Sequence, residues 1–182
     1  MCETRCRLLG NHAIESETGY DNIYFPINKG ITPIYYFLSQ NFPTYGLCPV
    51  EVTNSYLSKI IDGCKDYFKI LSPGLSGADG TISIQSVTYP NRYWHASARG
   101  ATLYFDDRTT ATDQAVFDQH ATFILHIDQM YTGYYTFESV EYLGYYVRHY
   151  GFVHKLDPLE NTGIYYSDAS LKAESNGHFL IE

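Results

Sequence analysis

The first thirty residues mix charged, polar and apolar side chains without a period, so residues 1–30 are expected to form an irregular arm. From about residue 31 the pattern changes to short apolar or aromatic runs separated by Gly, Pro, Asn and Asp. TISIQSV (81–87) alternates, which predicts a half-buried strand, and residues 134–140 alternate less cleanly. ATFILHI (121–127) predicts another strand, while SYLSKIIDG (55–63) is the one stretch suited to a helical turn or two. Turn signals fall at 77–80, 89–91, 106–108 and 161–163. Frequent turns between short strands predict an all-β barrel or sandwich-like fold.

The pattern also repeats. GTISIQSVTYPNRYWHA (80–96) aligns without a gap with GYYTFESVEYLGYYVRH (133–149), at a shift of 53 residues. Gly80/Gly133, Ser86/Ser139, Val87/Val140, Tyr89/Tyr142 and Tyr93/Tyr146 are identical, and FKIL (68–71) faces FILH (123–126). A weaker copy lies at SQNFPTYGLC (39–48), with Phe42-Pro43 opposite Tyr89-Pro90. Its end, KDYFKI (65–70), falls opposite QHATFI (119–124) and SDASLK (167–172). The copies span approximately 31–67, 68–120 and 121–182. Each is too small to bury its own core, so the three are expected to share one in a closed pseudo-three-fold barrel.

Composition narrows the function. The 182 residues suit one domain with a real core. Lys+Arg is 12 against 20 Asp+Glu, a net charge of −8, which argues against nucleic acid as a partner. Aromatics reach 16%, with 19 Tyr, so the chain is not disordered. No apolar run approaches the roughly 18 residues of a helical membrane span, and no membrane partner is expected. The seven His are scattered, so neither a metal site nor a cofactor is expected. H-E-x-x-H, G-x-S-x-G, P-loop and G-x-G-x-x-G motifs are absent, and no catalytic residue is assigned. The four cysteines, Cys2, Cys6, Cys48 and Cys64, allow two disulfides in three connectivities, without a C-x-x-C pair. The N-terminus does not read as a secretory signal, so either an export signal has been removed or the protein is cytosolic.

The third copy, SVEYLGYYVRHYGFVHKLDP…YYSDASLK, resembles the arabinose-binding domain of fungal-type α-L-arabinofuranosidase B, the family-42 carbohydrate-binding module. The hallmark run is S-x-x-Y-P-G-x-Y-apolar-R-H, then L-D-P, then D-A-T-F. FKILSPGLSGADGTISIQSV (68–87) also resembles that family's strand–PGLSG–strand segment. The resemblance covers roughly 31–182 and is densest over 68–172. It implies a β-trefoil of three subdomains, each able to hold one arabinofuranose. It also implies a carbohydrate pocket of His149, Tyr150 and Asp168. A carboxylate accepts hydrogen bonds from neighbouring hydroxyls, an imidazole donates and accepts, and an aromatic ring covers the apolar face of the sugar. Tyr93, Tyr146 and Trp94 are expected in the core, Arg148 in a structural ion pair, and Asp157 in a turn.

The copies differ at these positions. In the second, Ala96 takes the His place, His95 the Arg place and His120 the Asp place. This pocket is expected to be weak or dead, unless His95 and His120 build a different one. In the first copy Cys48 takes the His place and Asp66 the Asp place. If pocket His and Asp face one sugar, Cys64, two residues before Asp66, comes within reach of Cys48. A Cys48–Cys64 disulfide is therefore expected to staple a pocket that no longer binds, and Cys2–Cys6 is one further pairing.

The resemblance implies a non-catalytic module that recognises arabinofuranose side chains of arabinan or arabinoxylan. Hydrolysis by two spaced carboxylates would belong to a lost or separate catalytic domain. The expected location is extracellular. Two other readings remain open: a degenerate trefoil that serves as a protein-interaction or structural module, and a lectin for a different sugar.

Overall fold

A computed structural model describes residues 31–175, 177 and 179–181. The expected arm at 1–30, with Cys2 and Cys6, lies outside the described residues. The short runs form strands β1 (Ile31–Ser39), β2 (Tyr45–Val52), β3 (Ser55–Asp62), β4 (Phe68–Leu71), β5 (Thr81–Ser86), β6 (Arg92–His95) and β7 (Tyr104–Asp107). They continue as β8 (Phe123–Ile127), β9 (Tyr135–Ser139), β10 (Tyr145–Tyr150), β11 (Val153–Pro158), β12 (Leu171–Glu174) and β13 (Phe179–Ile181). Two short helices, α1 (Gln114–His120) and α2 (Gly163–Ala169), interrupt them. The strand pairs are antiparallel, and pairing of β3 with β7 and of β9 with β10 closes the sheet into a barrel. Closure removes most of the unpaired strand edge.

Two local expectations change. Residues 55–63 are not helical: Ser55–Asp62 is strand β3, paired along its whole length with β2. Thr53 and Asn54 both have positive φ, as a two-residue hairpin turn requires, and Ser58 and Ile60 point inward at a spacing of two. The helical turns arise where Asp113 and Thr162 cap the first N–H groups of α1 and α2. Strand β5 is buried on both faces rather than half-buried. The segment before it folds back as a cover, with Leu75 N donating to Ser83 Oγ (2.9 Å) and Ser76 N to Thr122 Oγ1 (3.0 Å). Gly74 permits this approach, because a Cβ there would lie 2.9 Å from the Ile82 backbone.

One pairing pattern occurs three times around the barrel. Leu38 faces Gly46, Gln85 faces Tyr93, and Glu138 faces Tyr146. The turns before these residues match: Tyr45 N donates to Phe42 O, Arg92 N to Tyr89 O, and Tyr145 N to Tyr142 O. Ser86, Ser139 and Ser39 face Phe68, Phe123 and Leu171. One residue beyond Gly46, Tyr93 and Tyr146, the side chains Leu47, Trp94 and Val147 enter the core against Ile60, Phe105 and Leu156. Full burial of each such side chain stabilises the fold by roughly 1.5–3 kcal/mol.

At the barrel centre Trp94 Nε1 donates to Ser58 Oγ (2.7 Å), which lies 2.9 Å from His154 Nδ1. Burial holds the His154 imidazole far below its usual range, at about 3, so this histidine is neutral. Apart from Tyr165, the largest fully buried side chains are Phe, Trp, Leu and Ile. Tyr36, Tyr146 and Tyr165 are buried, while Tyr93, expected in the core, is half-buried with its hydroxyl near Gln85 Nε2. Tyrosine collects at the rim of the core, where its hydroxyl reaches water or a partner.

Candidate functional site

The third hairpin, β10–β11, and helix α2 bring the predicted His149 and Asp168 together. Both side chains are buried, at 3% and 8% exposure. His149 Nε2 lies 2.9 Å from Asn41 Oδ1 and 3.5 Å from Asp168 Oδ1, and Asn41 Nδ2 donates to Asp168 Oδ1 (2.7 Å). Ser39 Oγ donates to Asn41 Oδ1 (2.7 Å) and completes the cluster. Burial pushes the His149 imidazole down, Arg148 pushes the same way, and Asp168 only partly opposes them. A neutral ring with one donor and one acceptor results, suited to hydroxyl groups.

Asn41 was missed in the sequence. It comes from the first copy, whereas His149 and Asp168 belong to the third, so a motif read within one copy does not contain it. Its only signal is its place two residues after Ser39, one of the three serines that the sheet aligns.

Tyr150 sits differently from expectation. It is 63% exposed, and its ring lies 5.1 Å from the Arg148 guanidinium. The ring beside His149 is Phe42, at 5.7 Å. Adjacent strand residues face opposite ways, which turns Tyr150 outward when His149 turns in. Arg148 makes the expected ion pair, Nε to Asp157 Oδ2 at 2.9 Å, and its Nη1 lies 3.6 Å from Asp168. Asp157 is therefore not a turn residue: it lies in β11 and holds Arg148. Asp168 lies in the last turn of α2, one residue before its end, with its carboxylate turned to Asn41.

In the first copy the Cys48–Cys64 disulfide is present, with Cα atoms 6.4 Å apart. The sheet nevertheless corrects the alignment by one residue. Gly46 is level with Tyr93 and Tyr146, so Cys48 is level with His95 and Arg148, and Pro49 with Ala96 and His149. Counting back three residues from Phe68, Phe123 and Leu171 sets Lys65, not Asp66, level with His120 and Asp168. Asp66 Oδ2 lies 3.4 Å from Cys48 Sγ, and burial raises its carboxyl above the usual range. The two sulfurs are bonded to each other, so the Cys48, Cys64 and Asp66 group is not a set of metal ligands. The Cys64 backbone carbonyl sits where a Cβ on Gly46 would go, which is where the other copies carry tyrosine.

In the second copy the His95 and His120 rings lie 5.6 Å apart, but each hydrogen-bonds a different partner. His95 Nδ1 lies 2.8 Å from Asp106 Oδ2, under a stacked Phe117 ring at 4.5 Å. His120 Nε2 instead meets Tyr142 Oη at 3.1 Å. Burial and the neighbouring His95 push the His120 imidazole down, against a smaller pull from Glu141.

With this geometry in place, the chain belongs to the α-L-arabinofuranosidase B (ABFB) domain family, which matches residues 65–173. Among solved structures it resembles a mutant GH54 α-L-arabinofuranosidase soaked with 4-nitrophenyl α-L-arabinofuranoside. That likeness has 16% identity and a TM-score of 0.61, over 82% of this chain and 32% of the other. An arabinofuranosidase complexed with arabinofuranosyl-α-1,2-xylobiose is similar at 16% identity and TM-score 0.60, over 79% and 31% of the two chains. The Rhizoctonia solani agglutinin is similar at 11% identity and TM-score 0.56, over 88% and 99%. At these identities the likeness is one of fold. The chain spans about a third of the length of the two arabinofuranosidases. No curated protein sequence matches it significantly.

Proposed function

We propose that this chain is a non-catalytic carbohydrate-binding domain, built as a β-trefoil of three degenerate copies, that recognises arabinofuranose side chains of polysaccharides such as arabinan or arabinoxylan. The observation that carries this reading is the meeting of His149, Asp168 and Asn41 at one buried polar cluster in a domain of this family. Asp168 accepts from sugar hydroxyls, neutral His149 donates and accepts, and Phe42 beside His149, rather than the outward-turned Tyr150, supplies the aromatic ring. The threefold recurrence of the strand pairing supports the trefoil. In the second copy Ala96 and His120 replace the His and Asp, and in the first Pro49 and Lys65 do, so the third copy is the arabinofuranose site.

Hydrolysis belongs to a separate catalytic domain, and the disulfide fits an extracellular setting. Calorimetric or NMR titration with arabinofuranosyl oligosaccharides tests the reading. Binding is expected for the native chain, and Asp168→Ala is expected to weaken it by about tenfold or more. No response, or a response unchanged by Asp168→Ala, overturns it and favours a protein-interaction role. Binding only of another sugar makes the domain a lectin of different specificity.

A further inference from the structure

A cleft of about 380 Å³ opens between the β2–β3 turn and strands β6 and β7. Asn54 and Ser55 line one side, Thr110 the rim, and His95, Asp106 and Phe117 the inner wall. The volume falls in the roughly 300–1,000 Å³ range of ligand pockets. We propose that this cleft is a second sugar site, taking a neutral ring with adjacent hydroxyls, separate from the His149–Asp168 cluster.

The cleft is not the second-copy counterpart of that cluster. The residues level with His149 and Asp168 are Ala96 and His120, and Ala96 follows His95 on the strand, so the two side chains leave it on opposite faces. The position of His95 is that of Arg148 in the third copy. There a long guanidinium reaches Asp157 and packs 5.0 Å from the Tyr165 ring. A shorter imidazole against Phe117 leaves the space beyond it open.

The wall chemistry fits a sugar. Asp106 accepts from His95 Nδ1 at 2.8 Å, and its side chain is 35% exposed, which leaves carboxylate surface for a ligand hydroxyl. The His95 imidazole adds a second polar group to this wall. Asn54, Ser55 and Thr110 add amide and hydroxyl groups at the mouth, and Phe117 supplies an aromatic wall. Arg92 and Asp107 also line the cleft. Arg92 donates to Phe105 O (3.0 Å) and lies 4.4 Å over the Tyr56 ring. Asp107 accepts from Thr109 N (2.9 Å) and Thr109 Oγ1 (2.6 Å). In this lining a neutral polyol meets donors, acceptors and an apolar face together.

The test is a ¹H–¹⁵N NMR titration of the full chain with methyl α-L-arabinofuranoside, methyl β-D-xylopyranoside and methyl β-D-galactopyranoside. At least one is expected to shift the amides of residues 106–117 saturably. Asp106→Asn and Thr110→Trp are each expected to raise that Kd by about tenfold or more, while Asp168→Ala leaves it unchanged. Thr110 is exposed, so its tryptophan variant blocks the mouth without touching the core. No shift at 106–117 with any of the three sugars overturns the proposal, as does a shift that survives both cleft variants. Shifts confined to the amides near Asn41 and Asp168 overturn it while leaving the arabinofuranose reading intact. Shifts confined to the cleft support it and count against that reading.

Discussion

The first and third hairpins hold the same barrel position in opposite ways. In the third, Arg148 sits between Asp157 and Asp168 and under the ring of Tyr165. In the first, the level residue is Cys48, bonded to Cys64. Both devices tie a barrel strand to the segment around it, one by charge and the other by a covalent bond. The consequence lies next door. Beside Arg148, the adjacent His149 turns in to meet Asn41 and Asp168. Beside Cys48, the adjacent residue is Pro49, and the crosslinked loop presses its carbonyl into the space over Gly46. One barrel position thus carries two fastenings of different chemistry. Among the described residues, the His149–Asn41–Asp168 cluster stands in the hairpin that carries the arginine.

The largest effect is expected from removing the charge. Arg148→Ala leaves two poorly exposed carboxylates without their cation and is expected to lose about 3–5 kcal/mol of stability in urea unfolding. A loss near zero would mean that the third hairpin is not held by charge. Next, replacing both Cys48 and Cys64 by Ala opens a link across 16 residues and is expected to lose about 3 kcal/mol. The His149–Asp168 amides should stay in place in the NMR spectrum of that variant. If they move, the two fastenings are coupled and the contrast fails.

Gly46→Ala is expected to be milder, about 1–3 kcal/mol, because only one methyl group meets the Cys64 backbone. An unchanged midpoint would show that the crosslinked loop yields.

The smallest effect is that of pH. His154 is buried neutral with its folded value near 3, against 6.5 for the free side chain. Below about 6.5 the unfolded chain takes up a proton that the folded chain refuses, so stability falls as pH falls. The loss between pH 7.5 and 5.5 is about 1.4 kcal/mol from this one group. His149 and His120, also lowered, act in the same direction. Thermal unfolding at the two pH values checks it, and equal midpoints would place a charged or solvated imidazole at the barrel centre.

Much of this was legible before any coordinates. The aligned Gly80 and Gly133 segments, with their shared Ser and Tyr, do form matching strands. His149 and Asp168 meet, and Cys48 reaches Cys64. The first copy was harder. Its Phe42-Pro43 anchor and its Cys48 anchor imply registers one residue apart, and a degenerate copy contains nothing to choose between them. The ladder from Leu38 to Gly46 decides it. A one-residue slip turns each side chain to the other face, which is why Cys48 and Asp66 changed partners in the comparison. The helical reading of 55–63 failed for a related reason. Its apolar spacing suits either period, and only pairing with β2 selects the strand.

By itself the sequence determined the all-β class and, through the family motif, pointed to Cys48 with Cys64 and to two of the four residues of the polar cluster. These follow from local pattern and from motif, which a linear chain carries in full. Only the tertiary structure decided the register of the first copy, the arrival of Asn41 from a distant copy, the outward turn of Tyr150 and the cleft beside His95. Each depends on which strands face one another once the barrel closes, and closure brings together residues more than a hundred positions apart, as in the Ser39–His149 contact with its separation of 110.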